Sequence, residues 1–137
     1  LPAAERDTAL ADLMLVHANH QAAIVATTQC SREKTQSIWK TLCQSLGADA
    51  TLTGVDPRFH VRFLELFGIR YRKGDISKSH LPVRAHTVEV ALSDVGALFT
   101  SLDLPDPRMQ PGTSTYTPAL KKWLSLLPGL PLQHHHP

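Results

Sequence analysis

Residues 85–102 read AHTVEVALSDVGALFTSL and carry the clearest structural signal in the chain. Apolar residues recur there every three or four positions, at Val88, Ala91, Leu92, Val95, Leu98, Phe99 and Leu102. A spacing near 3.6 places these side chains on one side of an α-helix, whereas a half-buried strand alternates every two residues. The stretch therefore predicts an amphipathic helix that begins near Ala85 and ends before Pro105 and Pro107.

The same period recurs on both sides of this stretch. Asp56 and Pro57 open a helix that Gly74 ends, because aspartate caps a helix N-terminus, proline fits its first turn and glycine fits its C-terminal end. Ser31 and Gly47 bound another helix in the same way. Together the signals predict further helices over residues 4–28, 31–46, 56–74 and 118–127.

No alternating segment is long enough for a strand, so the sequence predicts an all-α protein, a compact bundle of four to five helices. The 137 residues are 42% hydrophobic and 19% charged, the balance of one globular domain and not of a disordered chain. We expect a helical domain over residues 1–127 and a flexible C-terminal tail over 128–137. No apolar run has the length of a membrane span.

The two cysteines suggest a reducing environment. Cys30 and Cys43 are thirteen positions apart. On one helix this spacing separates them by about 20 Å, too far for a disulfide. An intracellular location, nuclear in a eukaryote, is the simpler expectation.

The chain shows no complete catalytic, cofactor or metal site. His17 and His20 have ligand spacing on a helix, but no further cysteine or carboxylate supports a zinc ion there. Neither a glycine-rich phosphate loop nor a Gly-x-Ser-x-Gly elbow is present. The sequence thus predicts a binding protein that is not an enzyme, with no cofactor and no metal.

Charge is distributed unevenly along the chain. Residues 1–30 have a net charge of −2, residues 31–90 hold ten Lys or Arg against six Asp or Glu, and residues 91–137 are balanced. A basic middle on a nearly neutral chain favours a polyanionic partner. The alternative interpretation, an ordinary solvated surface, stays open on composition alone.

The positive charge falls in two segments, where polar side chains that can also hold phosphates accompany the cations. An N-terminus of a helix at residues 85–87 adds oriented N–H groups to the second segment. The candidate DNA-binding residues of the first segment are Arg32, Lys34, Thr35, Gln36 and Lys40. Those of the second are Arg72, Lys73, Lys78, Arg84, His86 and Thr87.

The order of several short motifs resembles a known family. The chain has Ser-Arg-Glu-Lys from Ser31, Phe-Gly-Ile-Arg-Tyr-Arg-Lys-Gly from Phe67, Ser-Lys-Ser-His-Leu-Pro-Val-Arg from Ser77, and Asp-Pro-Arg from Asp106. Together with the run from His86 to Gly96, these resemble the N-terminal core-binding (SAM-like) domain of tyrosine recombinases, the phage-integrase superfamily. The resemblance is greatest to recombinases of mobile elements in eukaryotic genomes. It covers residues 27–108 and is most specific over 67–95.

This resemblance implies a helical domain that forms one jaw of a clamp around duplex DNA, while a separate catalytic domain holds the tyrosine nucleophile. Both basic segments match the DNA-facing elements of the family. The C-terminal helix departs from the family in being more apolar, which suggests a contact surface for a second copy or for the catalytic domain. The alternative function is therefore a helical protein-interaction module that binds through Leu120, Trp123, Leu124 and Leu127.

Overall fold

The computed structural model describes residues 2–130 and confirms the all-α fold. Its four α-helices are α1 (Ala3–Ser45), α2 (His60–Lys73), α3 (Ala85–Ser101) and α4 (Pro118–Leu126). Short 3-10 turns at Pro57–Phe59 and Leu127–Gly129 precede α2 and follow α4. The extended pairing within this part of the chain is an isolated bridge between Met109 and Tyr116.

The predicted break between the first two helices is wrong, because α1 runs through Ser31 without interruption. Cap-type residues inside it satisfy their hydroxyl groups within the helix: the Thr27 hydroxyl donates to the Ala23 carbonyl oxygen at 2.9 Å. This back-bonding lets threonine occupy a helix interior without ending it. Packing within the chain divides it into two compact units, Leu1–Arg32 and Glu33–Pro137.

The second unit contains the hydrophobic core. Trp39 of α1 packs edge-on against Phe67 of α2 and Phe99 of α3, with ring centroids 5.5 and 6.4 Å apart. The Trp39 indole also donates to the Ala50 carbonyl oxygen at 2.9 Å, so its polar edge is satisfied. One fully buried side chain thus joins three helices and the segment after α1.

The ends of α2 follow the sequence prediction closely. The Asp56 carboxylate accepts the Arg58 backbone N–H at 3.0 Å and caps the 3-10 turn that leads into the helix. Gly74 ends α2 with a left-handed φ of 88°, which glycine adopts without steric cost. A Cβ at this position would also clash with the backbone of Leu81 and Pro82.

The beginning of the expected flexible tail is anchored. Leu127 is fully buried, and Leu130 is half-buried and packs against the core. The Leu130 carbonyl oxygen accepts a hydrogen bond from the Arg72 guanidinium at 3.3 Å. Residues 131–137 of the expected tail lie outside the described residues. Among the described helices, none is long and apolar enough to cross a membrane.

Candidate nucleic-acid interface

The first basic segment presents two lysines to solvent. Lys34 and Lys40 are exposed on α1, as expected for phosphate contacts. Thr35 is fully buried, so the prediction that it faces DNA is wrong. Its position explains this, because Thr35 lies one helical turn before the buried Trp39 and on the same side of α1.

Gln36 and Arg32 are less available than the sequence suggested. The Gln36 amide nitrogen donates to the Asp94 carbonyl oxygen of α3 at 2.9 Å, which commits it to joining two helices. Arg32 is half-buried, makes contacts within the protein and belongs to the N-terminal packing unit. Neither Gln36 nor Arg32 is therefore a principal contact of the candidate interface in the second unit.

Arg72 and Lys73 are neighbours with opposite roles. Arg72 is 6% exposed, and its guanidinium donates to the carbonyl oxygens of Val83 and Leu130 at 3.1 and 3.3 Å. The expectation that Arg72 contacts DNA is therefore wrong. Its guanidinium binds the segments around Val83 and Leu130 to α2 instead. Lys73 is exposed and remains a candidate phosphate ligand.

The loop between α2 and α3 displays the rest of the candidate set. Lys78, Arg84, His86 and Thr87 are all exposed. The loop is held from inside, because the buried Ser77 hydroxyl donates to the Leu81 carbonyl oxygen at 2.9 Å. No side chain caps the first turn of α3, which begins directly after Arg84, so its leading N–H groups have no side-chain partner at the cap.

The Tyr71 hydroxyl connects the two basic segments. Tyr71 is buried, and its hydroxyl is hydrogen-bonded to the Thr35 side chain and accepts the backbone N–H of Lys78. Burial raises the pKa of Tyr71, and the two hydrogen bonds oppose that rise. This shared partner places α1 directly beside the loop. The two segments, 39 positions apart in sequence at Lys34 and Lys73, therefore meet in the fold.

The apolar face of α4 is an internal contact. Leu120 and Leu127 are fully buried, while Trp123 and Leu124 are half-buried and pack against the core. Trp123 lies so close to Gly68 of α2 that a Cβ there would overlap the indole ring. Folding therefore covers Leu120 and Leu127, which are unavailable to a partner, and leaves part of Trp123 and Leu124 accessible.

A separate cavity of about 690 Å³ opens between the segment after α1 and the loop after α3. Its lining is mainly apolar, and its ionisable groups are His60 and Asp106. The His60 ring is hydrogen-bonded to the Val55 carbonyl oxygen at 2.9 Å, and Asp106 is paired with Arg108 at 2.8 Å. Both groups are committed to the local structure, so the cavity holds no free acid–base pair.

Arg108 also contacts Tyr116. The guanidinium carbon lies 5.7 Å from the centre of the Tyr116 ring. Burial alone would lower the pKa of Arg108, but hydrogen bonding and charge attraction from Asp106 raise it overall. The group is thus a firmly charged structural cation. Within residues 2–130, no cluster of three histidine, cysteine or carboxylate side chains could hold a metal ion.

Comparison with known protein families, curated proteins and solved structures finds no match for this chain.

Proposed function

We propose that this chain is a DNA-binding domain of the tyrosine recombinase type, which holds duplex DNA without carrying the catalytic residues. The observation that supports it most is the meeting of two basic segments at the Tyr71 hydroxyl. Cations from α1 and from the loop after α2 then belong to one neighbourhood, as a protein that grips a phosphate backbone requires. The short motifs of residues 67–95, which resemble the family, include this same tyrosine.

Five exposed cations in the second unit carry the proposal: Lys34, Lys40, Lys73, Lys78 and Arg84. Exposed His86 and Thr87 add hydrogen-bonding groups at the first turn of α3. Side chains of this kind hold phosphates and set the position of a protein on the duplex. Acidic Glu33, Asp75 and Glu89 are interspersed, which keeps the surface from being uniformly positive.

The proposal excludes catalysis because neither tyrosine of the chain has the surroundings that a nucleophile needs. Tyr71 is buried and its hydroxyl is engaged by Thr35 and Lys78, so it cannot attack a phosphodiester. Tyr116 is half-buried, and the cation over its ring, Arg108, is paired with Asp106. Strand transfer needs a tyrosine together with cations that are free to stabilise the charged transition state. The interaction-module alternative is less favoured, because Leu120 and Leu127 of its expected surface are buried in the core.

The proposal is tested by measuring duplex affinity as a function of salt. Four to five phosphate contacts give a slope of log K against log salt of about −4, so affinity should fall more than a hundredfold between 50 and 200 mM salt. Replacing Lys34 or Arg84 by alanine should weaken binding about threefold to tenfold and flatten the slope by about one unit. Fluorescence anisotropy with a labelled duplex measures both quantities.

The neighbours Arg72 and Lys73 supply an internal control. Lys73→Ala should weaken DNA binding and leave stability unchanged, whereas Arg72→Ala should cost about 2 kcal/mol of unfolding free energy, because it removes two hydrogen bonds from a charged donor. Lys122→Ala changes an exposed lysine of α4 and should alter neither property. Wild-type protein that binds no duplex at 50 mM salt, or a Lys34→Ala variant that behaves like Lys122→Ala, would contradict the proposal.

A further inference from the structure

The N-terminal part of α1, residues 3–31, carries large apolar side chains that are exposed. Residues 2–31 are all exposed. Seven large apolar side chains there keep 47% to 66% of their surface accessible: Leu10, Leu13, Met14, Leu15, Val16, Ile24 and Val25. Soluble monomers rarely expose apolar patches of this kind, and a helix that is apolar on several sides is normally buried.

This segment also has few interactions of its own that stabilise a helix. Residues 13–31 contain no Asp, Glu, Lys or Arg, so no ion pairs between successive turns support it. Eight of its nineteen residues are valine, isoleucine, threonine, asparagine or histidine, which have modest helix propensity, and nine are the stronger helix formers alanine, leucine, methionine or glutamine. Helices that lack tertiary packing are marginal in water unless the sequence strongly favours them. The helical conformation of residues 3–31 therefore calls for a packing partner.

Charge along α1 indicates which partner fits. Residues 1–12 have a net charge of −2 from Glu5, Arg6, Asp7 and Asp12, residues 13–31 have none, and residues 32–40 have a net charge of +2 from Arg32, Glu33, Lys34 and Lys40. A helix with an acidic end, an uncharged middle and a basic end is complementary to itself in the reversed direction. Parallel pairing would place like charges together at both ends.

We propose that residues 13–31 of two copies of this chain pack antiparallel, centred on residue 22, the middle of this uncharged stretch. Leu13 and Ile24 are eleven positions apart, about three helical turns, and therefore share one side of α1 on which the partner helix can lie. The contact is about 30 Å long, so the interface is small and the dimer should form at about 1 to 100 µM. This inference does not depend on DNA binding by the second unit.

The oligomeric state of the full chain tests the surface. Sedimentation velocity over this concentration range should show a dimer for wild type and a monomer for the Leu13→Glu, Ile24→Glu double variant. The control is Leu102→Glu, Leu126→Glu, which adds the same charge at exposed leucines outside the segment and should remain dimeric. A wild type that stays monomeric throughout, or a dimer that survives Leu13→Glu, Ile24→Glu, overturns the proposal.

The direction of pairing is tested with a nitroxide on Cys30, which is exposed while Cys43 is buried. Cys30 lies eight positions from residue 22, so antiparallel helices should place the two labels about 25 Å apart, whereas parallel helices would place them within about 10 to 15 Å. Pulsed electron paramagnetic resonance on the dimer measures this distance. The longer distance supports the antiparallel dimer and the shorter one overturns it.

Discussion

The two parts of α1 share one conformation and differ in what surrounds them. Over residues 33–45 the helix buries Thr35, Trp39, Leu42 and Cys43 in the core. Over residues 3–31 it buries none of its side chains within the described chain. In the first case tertiary packing explains why the helix is stable, as it does for most helices in globular proteins. In the second no buried side chain accounts for the helix, and the proposed antiparallel dimer would supply the missing contacts.

The largest effect expected from this comparison comes from one substitution made in each part of α1. Leu42→Ala should lower the unfolding free energy of the second unit by about 3 kcal/mol, because Leu42 is 4% exposed and its loss leaves a cavity. Leu13→Ala removes a side chain that is 66% exposed and should change that free energy by less than about 0.5 kcal/mol. Urea unfolding followed by circular dichroism measures both.

These unfolding measurements belong at protein concentrations below the association range, because dimerisation adds stability by mass action. Equal effects of Leu42→Ala and Leu13→Ala would show that residues 3–31 pack against the same core. The distinction between the two parts of α1 would then be lost.

A smaller effect is expected where α4 covers α2. Gly68→Ala should destabilise the second unit by about 2 kcal/mol, since the added Cβ overlaps the Trp123 ring and forces α4 away from its position. Gly129→Ala is the matched control, because a Cβ there meets nothing within 4 Å. Thermal unfolding of the two variants compares them directly. Full stability of Gly68→Ala would mean that α4 packs less tightly on α2 than described, and its apolar face would again be a candidate partner surface.

The smallest expected effect is a difference in reactivity between the two cysteines of α1. Cys30 should react with a thiol reagent in the folded protein, whereas Cys43 should react only on unfolding. Burial, and secondarily the charge of Asp49, raises the pKa of the Cys43 thiol from 9.0 to about 12. Mass spectrometry after timed labelling distinguishes one modification from two. Rapid double labelling of the native protein would show that the core around Cys43 opens readily.

The same pKa shift has a consequence for alkaline stability. Below pH 9 the Cys43 thiol is neutral in both the folded and the unfolded chain, so its contribution to stability is fully present. Between pH 9 and about 12 the unfolded chain loses the proton while the folded chain retains it, so unfolding becomes progressively favoured. Cys43→Ser should therefore lose less unfolding free energy than wild type between pH 9 and about 12. A profile identical to that of wild type would assign the loss to other groups, such as Tyr71.

Most of the helices were predictable, because apolar periodicity and capping residues are properties of the local sequence. The period of residues 85–102 and the capping residues around 56 and 74 locate α3 and α2 nearly to the residue. The predicted boundary at Ser31 failed for a local reason as well. Capping residues such as Thr27 can satisfy their hydroxyl groups inside a helix, and composition alone does not distinguish the two situations.

The candidate site was predictable in position and less so in detail. Lys34, Lys40, Lys73, Lys78 and Arg84 are exposed as charge patterning implies. The burial of Thr35 had an available signal, its spacing of four and seven from Trp39 and Leu42. Arg72 had none, because its partners Val83 and Leu130 are 11 and 58 positions away, and only tertiary folding brings their carbonyl oxygens to it.

The hydrogen bonds of the Tyr71 hydroxyl make the spacing between α1 and the following loop a property of the folded protein itself. A flexible pair of basic segments would lose conformational entropy on being aligned with a phosphate backbone, and that loss would weaken binding. Here the alignment is made during folding, by one phenolic oxygen that Thr35 and Lys78 share. Tyr71→Phe keeps the aromatic ring and removes the hydroxyl that links the two basic segments. For any polyanion that touches both segments, this preorganisation sets how long the complex lasts more than how fast it forms.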